Sequence, residues 1–507
     1  MYSTRTTKTA SGATAVQIVK YERRKRIVVK HIGSAHTTDE LLALKQTAFN
    51  WIEKESHQPP LFPLQKSVQN LIPIDKCQYL GFRYNFIYEI FSKIFHLFCL
   101  DGINRFLLDL ILIRIVQPAS KLESLELLSE FFGKTYKRTD LYRSIPTLVA
   151  LKDIVEEKFV TFAKKHLDFD FSIVFYDVTT LYFESFKEDK EEFRKPGFSK
   201  DNKTNQPQIV IGLIVTKEGF PVSYDVFAGN TFEGKTFIPT ITKFKNTYGI
   251  KNLTIVADAA MISYPNVQSL IANNLSYIVG GRLASLKQKE IEEINQKLSS
   301  KEENLKKLKE KDGLSTRIET DRGTLICDFS FKRYMKDKRE MDKQITKAKR
   351  LLEENKGAKR IKFIKNKDDE KTEQVLNTGL IEKTKMLLGI KGYYTNLVDE
   401  TDKTIIDHYH SLWRVEKAFR IAKSDLSMRP IYHFKKQTIE FHILICFMAL
   451  GICEYMELKT KRSIKKIVKL LKSVTDARLR NTISNEEFIL RSEIPEETQK
   501  LLKTLWY

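Results

Sequence analysis

Cysteine is scarce in this chain. Five residues (Cys77, Cys99, Cys327, Cys446 and Cys453) are scattered over 507 positions, and no two form a C-x-x-C pair. That spacing excludes a zinc knuckle and a disulfide framework, and it suits a reducing cytoplasm. Acidic residues are in deficit: 64 Asp plus Glu stand against 86 Lys plus Arg, a formal net charge of +22. An excess of this size points to a polyanionic partner, nucleic acid before an anionic membrane surface. Long apolar runs are absent too. Residues 86–116 are interrupted by Glu89, Lys93, Asp101, Arg105, Asp109 and Arg114, and Phe441–Cys453 is only 13 residues long. Neither spans a bilayer, so both are read as core helices. The opening MYSTRTTKTASGA has no apolar stretch, and no secretory signal is expected there. What the chain does have is 42% hydrophobic residues and 32 Phe, ample for real cores. Its length suits roughly two to four domains.

Residues 1–168 read as a β-hairpin followed by a helical, DNA-end-binding domain. AVQIVKYE and RIVVKHIG flank the basic run at residues 23–26, as the strands of a small hairpin do. Residues 38–56 and 84–166 carry helical patterns, the second broken at Pro118 and at GKTYKRTDLYRS. Helices with Arg and Lys in their connections suit such a module, though no helix-turn-helix is legible.

At Phe171 the pattern turns to strands. SIVFYDVTTLYFES alternates, with Ile173, Phe175 and Asp177 on one face. IVIGLIVTK and PVSYDVFAG follow, joined at Glu218 and Gly219. Asn230 is placed to cap a helix from about Glu233 to Tyr248. NLTIVAD reads as a buried strand ending at Asp258, residues 264–274 as a helix, and LSYIVGG as another strand. The order is βββαβαβ, that of an α/β, RNase H-like domain with a mixed sheet covered by helices. In that layout the first and fourth strands can lie side by side, bringing Asp177 and Asp258 together. An acid at the end of a buried strand is costly unless paired or metal-bound. Two on neighbouring strands suit a divalent cation, and hard oxygen ligands suit Mg²⁺ or Mn²⁺. The plainer reading of each, a strand-end acid bonding backbone N–H groups, stands beside this one.

The segment 285–385 reads as a charged, largely helical insertion. Residues 287–373 hold 26 Lys plus Arg against 19 Asp plus Glu, a net of +7. SLKQKEIEEINQKLSSKEENLKKLKEK and DKREMDKQITKAKRLLEENKG look like an antiparallel pair of charged helices around a short β-like GTLICDFSF. Both a solvated insertion and an arm along DNA fit that composition. LLGIKGYYTNLVD returns to a β pattern, so the catalytic domain is split into 169–284 and 386–480, with 481–507 a tail. The stretch 409–426 has no Gly or Pro and reads as one helix. Leu412, Val415, Phe419, Ala422 and Leu426 form its apolar stripe. Tyr409, Trp413, Glu416, Arg420 and Lys423 form a second stripe, one carboxylate among cations and aromatics. Glu416 is the natural third acid. The alternative is an ordinary amphipathic helix with a Glu416–Arg420 pair. Residues 439–455 read as a buried helix, and His433 and His442, nine apart, as structural. KTKRSIKKIVKLLKS is a basic helix with Lys461, Lys465, Lys469 and Lys472 on one side.

With the acids placed, the chain resembles the DDE transposases of bacterial insertion sequences. The most similar group has the hallmark Y-x2-R-x3-E-x6-K. Tyr409, Glu416 and Lys423 fit that spacing, and Asp177 in YDVTTLYFE and Asp258 in IVADAAMIS look like the two catalytic Asp motifs. GFSKDNKTNQPQIVIGLIV, VFAGNTFEGKT, KSDLSMRPIYH and the N-terminal KTASGATAVQIV also look like family runs, so the likeness spans nearly the whole chain. The resemblance implies two-metal phosphoryl transfer on DNA. Asp177, Asp258 and Glu416 would be catalytic and metal-binding, with Mg²⁺ or Mn²⁺ as cofactor. Tyr409, Arg420 and Lys423 would bind DNA; Trp413 is placed to stack on an unpaired base, but packing against the sheet is the preferred reading for it. Terminal inverted repeats and target DNA are the implied partners of a homodimer, in the bacterial cytoplasm with the nucleoid and away from membranes. The hallmark Arg position holds Leu412. Arg414 projects about 160° from Glu416 and Arg420 within about 40°, so Arg420 is expected to take over the phosphate contact. In this group the insertion is mostly β, whereas here it reads as more helical. The rivals are an RNase H-like, structure-specific DNA nuclease and a non-catalytic DNA-binding derivative. Inverted repeats in the DNA flanking the gene separate the first reading from both.

Overall fold

The computed structural model describes residues 2–22, 25–56, 76–184, 193–199, 203, 205–261, 263–298, 305–320, 323–354, 361–366, 374–483 and 485–506. The chain divides into two compact units, each assembled from separated segments. One comprises Met1–Ile94, Ser120–Arg138 and Lys465–Tyr507, the other Phe95–Ala119 and Thr139–Ile464.

The first unit begins with a three-stranded antiparallel sheet of Tyr2–Lys8, Thr14–Glu22 and Lys25–Ala35. The expected hairpin is its second and third strands; Arg23 and Arg24 of the basic run lie outside the described residues. Val16, Ile18 and Ala35 close a small core with Leu44 and Ala48 of the helix Thr38–Ser56. A second sheet pairs Cys77–Arg83 with Asp476–Asn481, and the latter with Glu487–Arg491. Chain positions about 400 residues apart therefore share one ladder. Its buried Asp476 is held by Arg491, Nε to Oδ1 2.7 Å, and Arg491 also reaches Glu89 at 2.7 Å. Lys472, read from the sequence as lying on one basic side of its helix, is half-buried over the rings of Tyr84 and Phe131.

The second unit is built on eight strands: β1 (Ile173–Tyr182), β2 (Gln208–Val215), β3 (Pro221–Ala228), β4 (Thr254–Ala257), β5 (Ser276–Gly281), β6 (Ser315–Thr320), β7 (Gly323–Phe329) and β8 (Ile390–Thr395). Their order in the sheet is β6-β7-β8-β5-β4-β1-β2-β3. β4 runs parallel to both β1 and β5, and every other pairing is antiparallel. Helices α1 (Glu233–Tyr248) and α2 (Tyr264–Ala272) lie in the connections around β4. The element order through β5 is thus the βββαβαβ of the sequence. The α1 cap differs from expectation: Phe232, in extended conformation, holds that position without a side-chain bond, and Asn230 stands two residues earlier.

The sheet has two dissimilar faces. Tyr176 packs on Gly212, where any Cβ would overlap it, and its hydroxyl meets Thr236 of α1 at 2.7 Å. The opposite face, with Ile211, Leu213 and Tyr224, is covered by Phe419, Ala422, Ile443 and Phe447. The last two belong to α6 (Lys436–Thr460); α3 (Phe331–Glu353), α4 (Asp402–His410) and α5 (Trp413–Arg420) precede it in the chain. Among the described residues α6 is the one helix long and apolar enough to cross a membrane, yet its apolar window is 94% buried inside the protein. It is a core helix, as its sequence suggests.

One expectation is extended and one is corrected. The described part of the 285–385 segment is largely helical, with the charged helices Gln288–Leu298 and α3 around a β-like stretch, but that stretch is β6 and β7, which join the central sheet through β8. Thr324, Leu325, Ile326, Cys327 and Phe329 are buried, and that burial draws the short apolar run into the sheet. The stretch 409–426 is not one helix. α4 ends at His410 and α5 begins at Trp413, joined by a tight turn in which Leu412 N–H donates to Tyr409 O at 3.0 Å. After Arg420 the backbone widens into a π-turn over Ile421–Asp425.

Candidate active site

The parallel β1–β4 ladder pairs Tyr176 with Ala257. The next residue on each strand is an acid, so Asp177 and Asp258 stand level on adjoining strands. Ala257 also pairs with Val279 on β5, which sets Gly280 level with Asp258. Gly280 in turn pairs with Tyr393 on β8. One transverse row therefore runs Asp177, Asp258, Gly280, Tyr393. Asp177 is half-buried and Asp258 exposed.

The α4–α5 turn sets the remaining groups against that row. Tyr409 is buried, and its hydroxyl donates to Asp258 Oδ1 at 3.3 Å, beside the Ala259 N–H at 2.7 Å. Burial first, and Asp258 second, push the Tyr409 hydroxyl well above its ordinary pKa, so it remains a donor. Its ring lies over Gly280, and a Cβ there would overlap the hydroxyl. Gly280→Ala is therefore expected to push Tyr409 off Asp258. The overpacking should cost about 1–3 kcal/mol. Thermal melting and DNA-end cleavage measured together check this, and a variant unchanged in both would mean that Tyr409 is not held there.

The rest of the predicted helix divides as its stripes suggest, with one exception. Leu412, Val415, Phe419, Ala422 and Leu426 are all buried. Glu416 and Arg420 are exposed and Lys423 is half-buried. Trp413 is 55% exposed, so packing against the sheet is not its role. Tyr409 is the exception. The break at Ser411 and Leu412 turns it away from the exposed stripe and onto the sheet. Arg414 lies on the other side of α5, its Cβ facing Gly219 and its guanidinium over the Trp413 ring at 5.6 Å. Lys417 anchors α5 to α6 through Glu454 at 3.1 Å and Glu457 at 2.7 Å.

Glu416 is joined to the row through shared neighbours. Asp258 and Glu416 both act electrostatically on Tyr409 and on Lys391 of β8. The acids are not assembled into one ligand set: among the described residues no three His, Cys, Asp or Glu side chains form a group that could hold a metal ion. In kind, Asp177, Asp258 and Glu416 offer the hard oxygen donors that suit a divalent cation. His442 is buried, Nε2 to Met428 O 2.9 Å, with the His433 ring 5.4 Å away, consistent with the structural role expected of both. Gly280, Asp328 and Lys391 were not foreseen. The alternation in GIKGYYT does put Lys391 and Tyr393 on one strand face, but nothing local reports that β8 borders β5.

The chain shares its pattern with known proteins. Residues 168–452, more than half of the chain, match the family described as Transposase DDE domain. No curated protein matches. Among solved structures, a piggyBac transposase synaptic complex with hairpin DNA is similar at 12% identity, over 71% of this chain and 68% of that one, with a TM-score of 0.37. A Mos1 transposase paired-end complex with left transposon end is similar at 12% identity, over 46% of this chain and 66% of that one, with a TM-score of 0.16. The family is divalent-metal dependent. By the extent of the family match, this chain belongs to the DDE transposases and is a DNA transposase, an enzyme that cleaves DNA and transfers the cut strand.

Proposed function

We propose that this transposase serves a bacterial insertion sequence of the Y-x2-R-x3-E-x6-K group, acting in the cytoplasm on that element's terminal inverted repeats. The observation that carries the site assignment is the level placement of Asp177 and Asp258 on adjoining parallel strands, with Tyr409 hydrogen-bonded to Asp258. In this reading the strands β3-β2-β1-β4-β5, with α1 and α2, are an RNase H-like core. Residues 285–385 are an insertion between β5 and β8 that widens its sheet, and residues 1–168 supply the DNA-end-binding part.

Asp177, Asp258 and Glu416 would hold the metal, Mg²⁺ or Mn²⁺. Bound there it supplies Lewis acidity at a phosphodiester. The chain's own groups do the rest. The Ala259 N–H and the Tyr409 hydroxyl fix the Asp258 carboxylate. The Lys417 ion pairs fix α5, and with it the position of Glu416. Trp413 and Arg420, exposed on α5, face the DNA strand, with Lys423 following on the π-turn. Two ends must be joined in one event, so a homodimer on DNA is the working assembly.

Arg420, not Arg414, takes the phosphate contact that the Leu412 position lacks. Arg420→Ala should lower end cleavage by about 10- to 100-fold, as expected for one lost charged hydrogen bond. Arg414→Ala should leave cleavage within about threefold. Single-turnover cleavage of a duplex carrying one terminal repeat measures both, and the reverse ranking contradicts the assignment.

A further inference from the structure

The insertion does more than widen the sheet. The β7–β8 ladder sets Asp328 directly opposite Lys391 and Ile326 opposite Tyr393. Strand alternation then puts Asp328, Lys391 and Tyr393 on one face. Tyr393 also pairs with Gly280, so this is the face on which Tyr409 lies. Asp328 is half-buried: the Tyr393 hydroxyl, which also meets His410 Nε2 at 3.2 Å, interacts with it, while its Oδ1 is buried without a hydrogen-bond partner. Lys391 does not satisfy its cross-strand partner. Its Nζ lies 4.5 Å from the centre of the Tyr409 ring and 5.6 Å from that of Tyr393. It forms no ion pair among the described residues. Burial, with Arg333 nearby, works against its charge, while Asp328, Asp258 and Glu416 favour it.

A half-buried ammonium that no carboxylate neutralises, held over the very ring whose hydroxyl touches Asp258, is costly to leave so. Aromatic faces repay part of that cost. An incoming anion would repay more. The acid pair and this cation together make a site that repels a bare phosphate on one side and attracts it on the other, which orients a phosphodiester.

We propose that Lys391 is the resident cation of the acid site: it faces Asp258 and Glu416 without pairing with either, and it contacts the DNA phosphate brought against them. The inference rests on the assignment of Asp258 and Glu416 as site acids. Without DNA, Lys391 competes electrostatically with a divalent ion for the same carboxylates. With DNA, it becomes a phosphate ligand supplied by the insertion.

The test has two readouts on the full-length protein. Lys391→Met is titrated with Mn²⁺ in the absence of DNA, following the melting temperature. The midpoint should fall by about threefold or more, because a neighbouring positive charge has been removed; Lys391→Arg should keep the wild-type midpoint. End cleavage by Lys391→Met in single turnover should fall by at least about tenfold, with end binding in Ca²⁺ within about threefold of wild type. An unchanged Mn²⁺ midpoint overturns the placement of Lys391 beside the acids. A shifted midpoint with unchanged cleavage overturns the phosphate contact. The Mn²⁺ titration needs no DNA, so its result stands apart from whether the wild-type protein cuts terminal repeats. Lys391→Gln carries the same test if the Met variant does not fold.

Discussion

Asp258→Asn is expected to abolish strand cleavage at the transposon end, with a loss of roughly 10³-fold or more, while the protein keeps its fold. The magnitude follows from the chemistry. Losing a charged ligand of the reaction centre removes several kcal/mol of transition-state stabilisation, and each 1.36 kcal/mol is about tenfold in rate. The fold should survive because Asp258 is exposed and stands just past the end of β4. Asn keeps an oxygen that can accept from Ala259 N–H and Tyr409, the two bonds the aspartate now accepts. Asp177→Asn should lose as much activity, but Asp177 is half-buried within β1 and some loss of stability accompanies it. Circular dichroism and melting establish the fold, and single-turnover cleavage gives the rate. A variant within tenfold of wild type removes Asp258 from the catalytic set.

The second large effect is on stability, and it depends on pH. Lys417 is the half-buried anchor between α5 and α6; its partner Glu454 is only 1% exposed in its side chain. Removing one partner of a buried pair is expected to cost about 3–5 kcal/mol, because the other charge is left unpaired. Burial, partly offset by Lys417, pushes the Glu454 carboxyl up to about 7 from an ordinary 4.5. Folding therefore favours the protonated acid. That contribution is complete below about 4.5 and is lost as pH rises through about 7. Lys417→Met removes the main cation that offsets this, leaving the weaker influence of Arg414, so its penalty should grow with pH. At pH 5.5 Glu454 is protonated and the variant should melt only slightly below wild type. At pH 8.5 the full cost should appear. Melting curves of both proteins across that range decide it, and a penalty flat in pH would place the stabilisation elsewhere. Since α5 carries Glu416, cleavage should fall in step with the loss of α5 docking.

Much of this arrangement is legible in the residues. Alternation in SIVFYDVTT and the apolar run of NLTIVAD identified two strands and put an acid at a telling place on each, and the ladder sets those acids level. The apolar stripe from Leu412 to Leu426 identified the buried face of α5 and the π-turn. What escaped was long-range or came from a break without a marker. Cys77–Arg83 pairs with Asp476–Asn481, and no local pattern names a partner so distant in the chain. GTLICDF read as a minor stretch inside a charged segment, yet its apolar side chains make it an interior strand between β6 and β8. The turn at Ser411 and Leu412 contains neither Gly nor Pro. Helical periodicity continues across it, and only packing of Tyr409 over Gly280 shows that Tyr409 belongs to the sheet side. Lys391 and Asp328 escaped for the same reason: β8 was placed beside β5, and β7 beside β8, by tertiary pairing rather than by their own sequence.

The account is tested most directly by incubating the purified protein with Mg²⁺ and a DNA fragment that spans the boundary of the element encoding it. Strand cleavage should occur at the outer edge of the terminal inverted repeat, and a fragment with a scrambled repeat should stay intact. Cutting that ignores the repeat would contradict the account in favour of a general nuclease. Specific binding without any cleavage would contradict it in favour of a non-catalytic DNA-binding protein.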